Sequence, residues 1–201
     1  MKEKNIPYEP WQEQKCRPEE KNNYRYTLSA KVVEKPKNEK ILVVMGINPS
    51  TADDKNKDAT ICNVEKLTIV NKYDRFVMIN VYPQRATDAD NLPKNGYEEP
   101  EQINQNMAEI YKCVKGSSCR DILLAYGTHI DDRKYLVTCL KKIIQQLEDL
   151  HPNYKYIAKT KDGHPCHPLF PGNCKEYPAQ YLGDSYKIRD FDDLEDYLNN
   201  L

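Results

Sequence analysis

The chain has 201 residues, enough for one domain with a sizeable core; 39% of them are apolar and 30% charged. A formal net charge of −1 offers no general field for nucleic acid, membrane or acidic substrates, so a nucleic-acid role needs a local basic patch. No stretch approaches a membrane span, and the opening MKEKNIPYEPWQEQK lacks the apolar core of a signal peptide, so a cytoplasmic protein is expected.

Residues 1–22 are polar and rich in Lys and Glu, which predicts an irregular arm ahead of a single α/β domain over 23–201. Residues 24–33, YRYTLSAKVV, alternate as a strand suited to an antiparallel sheet edge. ILVVMGINPS at 41–50 is the most informative stretch. Its apolar, β-branched start reads as a strand covered on both faces. Gly46 permits a sharp turn and Pro49 ends the ladder. Asn48 is thereby placed on a loop at the strand's carboxyl end, where open α/β sheets bind ligands. An amide held there can orient a water or read a ligand; equally, it can be a plain Asn-Pro turn.

After the polar loop TADDKNKD, residues 59–70 show helical spacing, with Asp58 or Thr60 as the cap. RFVMINV at 75–81 is a second buried strand, followed by a long polar loop over 84–100. A helix over 101–114, a third strand over 121–125 and an amphipathic helix over 131–150 follow. A short fourth strand at 154–158 runs into KTKDGHPCHPLF, and a small helix closes the chain near 190–200. This alternation predicts a three-layer α/β/α arrangement around a short, mainly parallel four-stranded sheet. Each strand ends in a polar cluster: Asn48, Asn80, Tyr126-Gly127, and His164 with His167. Parallel strands would gather all four on one rim. The seven cysteines are scattered with no CxxC pair, which suits reduced, mostly buried thiols.

GINPSTADD, DATI, INVYPQRATD, AYGTH and KTKDGHPCHPLF, in that order, closely resemble the family catalogued as domain of unknown function 1643, over about residues 24–172. Ala59 stands where that family usually has proline, and Tyr126 where it usually has tryptophan. The same series is similar, more distantly, to the uracil-DNA glycosylase fold. That superfamily has a Gly-x-Asp/Asn-Pro motif, a strand ending in Asn, an aromatic-Gly pair and a late His-Pro loop. The corresponding residues are Gly46-Ile47-Asn48-Pro49, Met78-Ile79-Asn80, Tyr126-Gly127 and His167-Pro168. Gly-Ile-Asn-Pro is the version of the mismatch-specific branch, whose Asn positions the attacking water.

The resemblance implies hydrolysis of an N-glycosidic bond, with a nucleobase, nucleotide or DNA as partner and no cofactor. Asn48 would hold the water, and His167, or its neighbour His164, would donate to an oxygen of the departing base. Asn80 would pair with the base edge. Tyr82, Tyr126 or Phe170 would supply stacking, and Gly46, Ser50 and Asp53 would complete the substrate site. Because an amide is a poor base, such an enzyme would depend on positioning. After His167-Pro168 the chain reads Leu-Phe-Pro where the best-known glycosylases have Ser-Pro-Leu, so their DNA-inserting loop does not carry over. Lys155, Lys159, Lys161 and Arg85 lie near the expected rim, but so do Asp53, Asp54, Asp58 and Asp88, a mixture that favours a small nucleotide-like ligand over long DNA. His129 and His151 read as surface or loop residues, and Arg25, which could reach the rim from the edge strand, reads more as a surface residue than as part of the site.

Two other classes remain open. One is a binding module of the same fold without hydrolysis. The other is a metal-assisted phosphohydrolase using Asp53, Asp54 and Asp58 with His164 and His167. Their spacing matches no fixed metal motif. A zinc set from His164, Cys166, His167 and Cys174 is equally irregular.

Overall fold

The computed structural model describes residues 6–19, 22–95, 100–169 and 187–201. The order of elements is β1 (Ile6–Pro7), β2 (Gln14–Arg17), β3 (Thr27–Lys31), β4 (Ile41–Gly46), β5 (Asn56–Lys57), α1 (Ala59–Val70), β6 (Arg75–Asn80), α2 (Pro100–Gly116), β7 (Asp121–Leu124), α3 (Lys134–Leu147), β8 (Asn153–Tyr156), β9 (Arg189–Asp190) and α4 (Leu194–Asn199).

A mainly parallel four-stranded sheet is not what forms. The main sheet has seven strands in the order β2-β3-β6-β4-β7-β8-β9 and is mixed. β6, β4, β7 and β8 are joined by parallel ladders, while β2, β3 and β9 add antiparallel pairings at the two sides. An antiparallel strand needs no crossover helix, so short segments can extend a sheet without leaving a βαβ signature in the sequence. The N-terminal arm is the clearest case. Instead of being irregular, residues 14–17 pair with 27–30 and make β2 the edge, with Cys16 as their buried residue.

β4 is covered on both faces because its neighbours divide into two cores. Leu42 and Val44 pack with Ile61, Val64 and Leu67 of α1. Val43 and Met45 pack with Ile103, Ile110 and Val114 of α2 and with Leu136, Leu140 and Ile143 of α3. Helices therefore flank the sheet on both sides. α1 starts where Asp58 accepts the N–H of Ile61 at 2.8 Å, which makes Asp58 the N-cap. Its buried face is Ile61, Val64, Leu67 and Thr68, whereas Val70 is exposed.

The C-terminal segment closes the far side. Phe191 is buried in the core that holds α3, and Leu194, Tyr197 and Leu198 pack against it. Among the described residues Cys16, Cys62, Cys113, Cys119 and Cys139 are free thiols, as expected, with Cys16 and Cys139 buried and the other three partly exposed; Cys166 departs from that expectation in being disulfide-bonded. Among the described residues no helix is long and apolar enough to cross a membrane.

Candidate functional site

The carboxyl ends of β4, β6, β7 and β8 turn into loops that surround one cavity of about 580 Å³. Its wall includes Gly46, Ile47, Asn48 and Ser50 after β4, Asp58 to Ile61 at the start of α1, and Ala86 to Asp88 after β6. Gly127 to His129 follow β7, and Thr160, Cys166, His167 and Leu169 follow β8. The volume is in the range of small-molecule sites.

The first two loops are zipped together. Val81 and Tyr82 donate their N–H groups to the carbonyls of Gly46 and Ile47, both at 2.9 Å, and Ala86 donates to Pro49, also at 2.9 Å. The Asn48 side-chain nitrogen donates to the carbonyls of Ala86 at 2.8 Å and Pro49 at 3.1 Å. With its nitrogen committed to the loop, the amide oxygen is the polar atom of Asn48 left for a ligand or water.

Gly46 has no room for a side chain. An added Cβ would lie 2.6 Å from Met78 Cε and 3.0 Å from the Asn80 amide. Asn80 is itself fully buried, and because two acceptors, the carbonyls of Ile79 and Asn48, face one side of its amide at 3.3 Å, the hydrogen-bonding pattern assigns its nitrogen to that side. Asn80 thus holds the Asn48 loop from beneath and does not line the cavity.

The late histidine loop is held just as tightly. Gly127 has φ +69°, and a Cβ there would come within 3.3 Å of His167 Cβ. Its N–H donates to the Pro165 carbonyl at 2.9 Å, and Asn63 Nδ2 of α1 donates to the Pro168 carbonyl at 3.0 Å. His167 Nδ1 accepts the N–H of Leu169 at 3.1 Å, so the neutral ring carries its proton on Nε2. Burial, reinforced by His129, lowers the His167 pKa to about 4; Asp58 opposes this only in part. His167 is therefore a neutral donor at physiological pH.

Of the residues expected at the site, Gly46, Asn48, Ser50 and His167 line the cavity. Five do not. Asp53 Oδ1 accepts the N–H groups of Lys55 and Asn56, both at 2.9 Å, and shapes the following turn. Tyr82 is buried against Tyr135, ring centroids 5.2 Å apart. Tyr126 is fully buried and its hydroxyl bonds Tyr197 at 3.2 Å. Asn80 sits beneath the loop. His164 is buried with Nε2 2.7 Å from Asp131 and Nδ1 3.0 Å from the Tyr197 hydroxyl. Phe170 and Cys174 lie outside the described residues.

Several residues of the metal readings have other partners. His164 is taken by Asp131 and Tyr197, Cys166 by its disulfide, and Asp58 by the helix cap. Among the described residues no cluster of three or more His, Cys, Asp or Glu is placed to hold a metal.

Two further residues of the cavity wall, His129 and Arg25, were favoured as surface groups in the sequence, Arg25 with the rim as its alternative. His129 lines the mouth, with Nδ1 2.6 Å from Asp132 Oδ2. Arg25 is only 2% exposed and also lines the cavity. It alternates with Thr27 and Ser29 on a strand face that looks solvated in sequence, yet all three are buried. A polar face that is buried carries no signal in a hydropathy pattern.

Fold and cavity together define a mixed α/β protein whose one rim forms a ligand-sized, partly polar hollow. The family model described as "Protein of unknown function (DUF1643)" matches residues 25–169, most of the chain, and the chain belongs to that family. No curated protein and no solved structure matches it.

Proposed function

We propose that the protein recognises a nucleobase or nucleotide in this cavity and hydrolyses an N-glycosidic bond, in the manner of the uracil-DNA glycosylase-like superfamily. The observation that carries the reading is the presence of Asn48 and His167 in the wall of one cavity, each locked by backbone hydrogen bonds.

Breaking an N-glycosidic bond sends its electron pair to the base and leaves an oxocarbenium-like sugar. Asn48 Oδ1 would accept a hydrogen bond from a water aimed at the anomeric carbon. As the water oxygen bonds to that carbon, its proton passes to solvent, because an amide does not take it. The Nε2–H of neutral His167 would donate to an oxygen of the leaving base and stabilise the charge that develops there. Ile47, Met78, Ile61 and Leu169 supply apolar wall for the base or sugar. Tyr82 and Tyr126 face the core, so a base here would be held more by its edges than by stacking on a tyrosine.

The test is incubation with oligonucleotides carrying uracil, hypoxanthine or mismatches, with Asn48→Ala as control. Abasic product that depends on Asn48 supports the hydrolase. Binding without any abasic product reduces the reading to a recognition module. Activity abolished by a chelator would overturn it in favour of metal chemistry.

A further inference from the structure

We propose that Arg25, backed by Arg85, makes the cavity a receptor for a phosphate group, carried by a mononucleotide. This deepens the nucleotide reading above and rests on it for the base and sugar; the phosphate half stands on the arginines themselves.

Arg25 lines the cavity and is 2% exposed. Its Nη1 donates to the Ala52 carbonyl at 2.7 Å, while its Nε is buried with no partner. Arg85 directs its own Nη1 to the same Ala52 oxygen and to the Ser50 carbonyl, both at 2.9 Å, and its buried Nε is likewise unpartnered. Two guanidinium groups are thus gathered on one carbonyl oxygen. Among the described residues neither forms an ion pair with a carboxylate. A buried guanidinium with no carboxylate in ion-pair contact is costly, and an anion in the cavity would relieve that cost. Burial and the neighbouring Arg85 lower the Arg25 pKa to about 10, with Asp58 opposing them in part, so it remains a cation at neutral pH.

The start of α1 adds donors on the same wall. Asp58 takes the N–H of Ile61 and leaves those of Ala59 and Thr60, which also line the cavity, without an intrahelical acceptor. The other charged or titratable groups of the wall are Asp58, Asp88, His129 and His167. Two carboxylates at the site and a net charge of −1 oppose a polyanion, which favours a mononucleotide over a DNA strand.

The full chain is titrated with inorganic phosphate, deoxyuridine, deoxyuridine monophosphate and a short single-stranded oligonucleotide. Calorimetry reads affinity, and NMR follows the Arg25 Nε–H resonance, assigned by its loss in Arg25→Lys. Phosphate and the monophosphate should shift that resonance, and the monophosphate should bind about tenfold or more tighter than the nucleoside. Arg25→Gln should abolish that preference and Arg25→Lys should retain part of it. An Arg25 resonance unmoved by phosphate in the unaltered protein overturns the proposal, whatever the variants do. Tighter binding of the oligonucleotide than of the monophosphate overturns the mononucleotide assignment. Base release is measured separately, so loss of the hydrolase reading and loss of the phosphate site are distinguishable.

Discussion

The side-chain nitrogen of Asn48 and the carbonyl oxygen of Ala86 lie 2.8 Å apart, joining the loop after β4 to the loop after β6. This bond decides which end of the amide is available to the cavity. It also couples the candidate water-holding residue to the rigidity of a second loop.

Asn48→Ala removes the side-chain bonds to Ala86 and Pro49 and the water acceptor together. Stability should fall by about 1–2 kcal/mol, the usual net worth of two such bonds, whereas base release should fall by about tenfold or more. Chemical denaturation and a base-release assay on the same preparation separate the two effects. Equal activity in variant and parent would remove Asn48 from the chemistry.

Gly46→Ala should destabilise by about 1–3 kcal/mol, because the new methyl group overlaps Met78 Cε and presses on Asn80. Met78 is flexible at its end and also lines the cavity, so it is the group that gives way. Combining Gly46→Ala with Met78→Ala should recover part of the crowding cost. Denaturant midpoints of the two single variants and the double variant measure that recovery.

The acid limb of the stability profile should carry the signature of His167. Its folded pKa of about 4 lies below the ordinary 6.5, so the unfolded chain binds the extra proton first. The contribution is therefore fully present above pH 6.5 and is lost as pH falls from 6.5 towards 4. His167→Gln should flatten the melting temperature over that interval. An unchanged slope in the variant would show that His167 is not the group responsible.

His164 ties the loop after β8 to Asp131 and to Tyr197 of α4, and Tyr197 in turn bonds the buried Tyr126. His164→Ala should cost about 2–4 kcal/mol, since it removes two bonds, one of them to a carboxylate. Limited proteolysis should then cut sooner near α4, while phosphate binding at Arg25 is little altered. Weaker phosphate binding with α4 still protected would place His164 at the ligand instead.

The helices and the core strands were legible because burial repeats along them with a fixed period. ILVVMG alternates between two cores and still reads as a strand, since both of its faces are apolar. β2 and β9 were not legible. QKCR buries one residue and RD buries none, so pairing with a neighbour, and not patterning, makes them strands. The polar tips divided in the same way. Asn48 and His167 reach the cavity, whereas Asn80, Tyr126 and His164, only a few residues away, turn into hydrogen-bonded supports. For Arg25 the less favoured of two readings holds: it reaches the rim and is a buried wall of the cavity.

By itself, the order of residues determined the alternation of strands and helices, the family and the loop that carries Asn48, because these depend on local periodicity and short motifs. Tertiary structure alone decided the mixed sheet, the direction each polar side chain takes and the meeting of Arg25 with Arg85 at Ala52. Those features depend on which distant segment arrives to cover a face or accept a hydrogen bond, and no local pattern in a single sequence encodes that arrival.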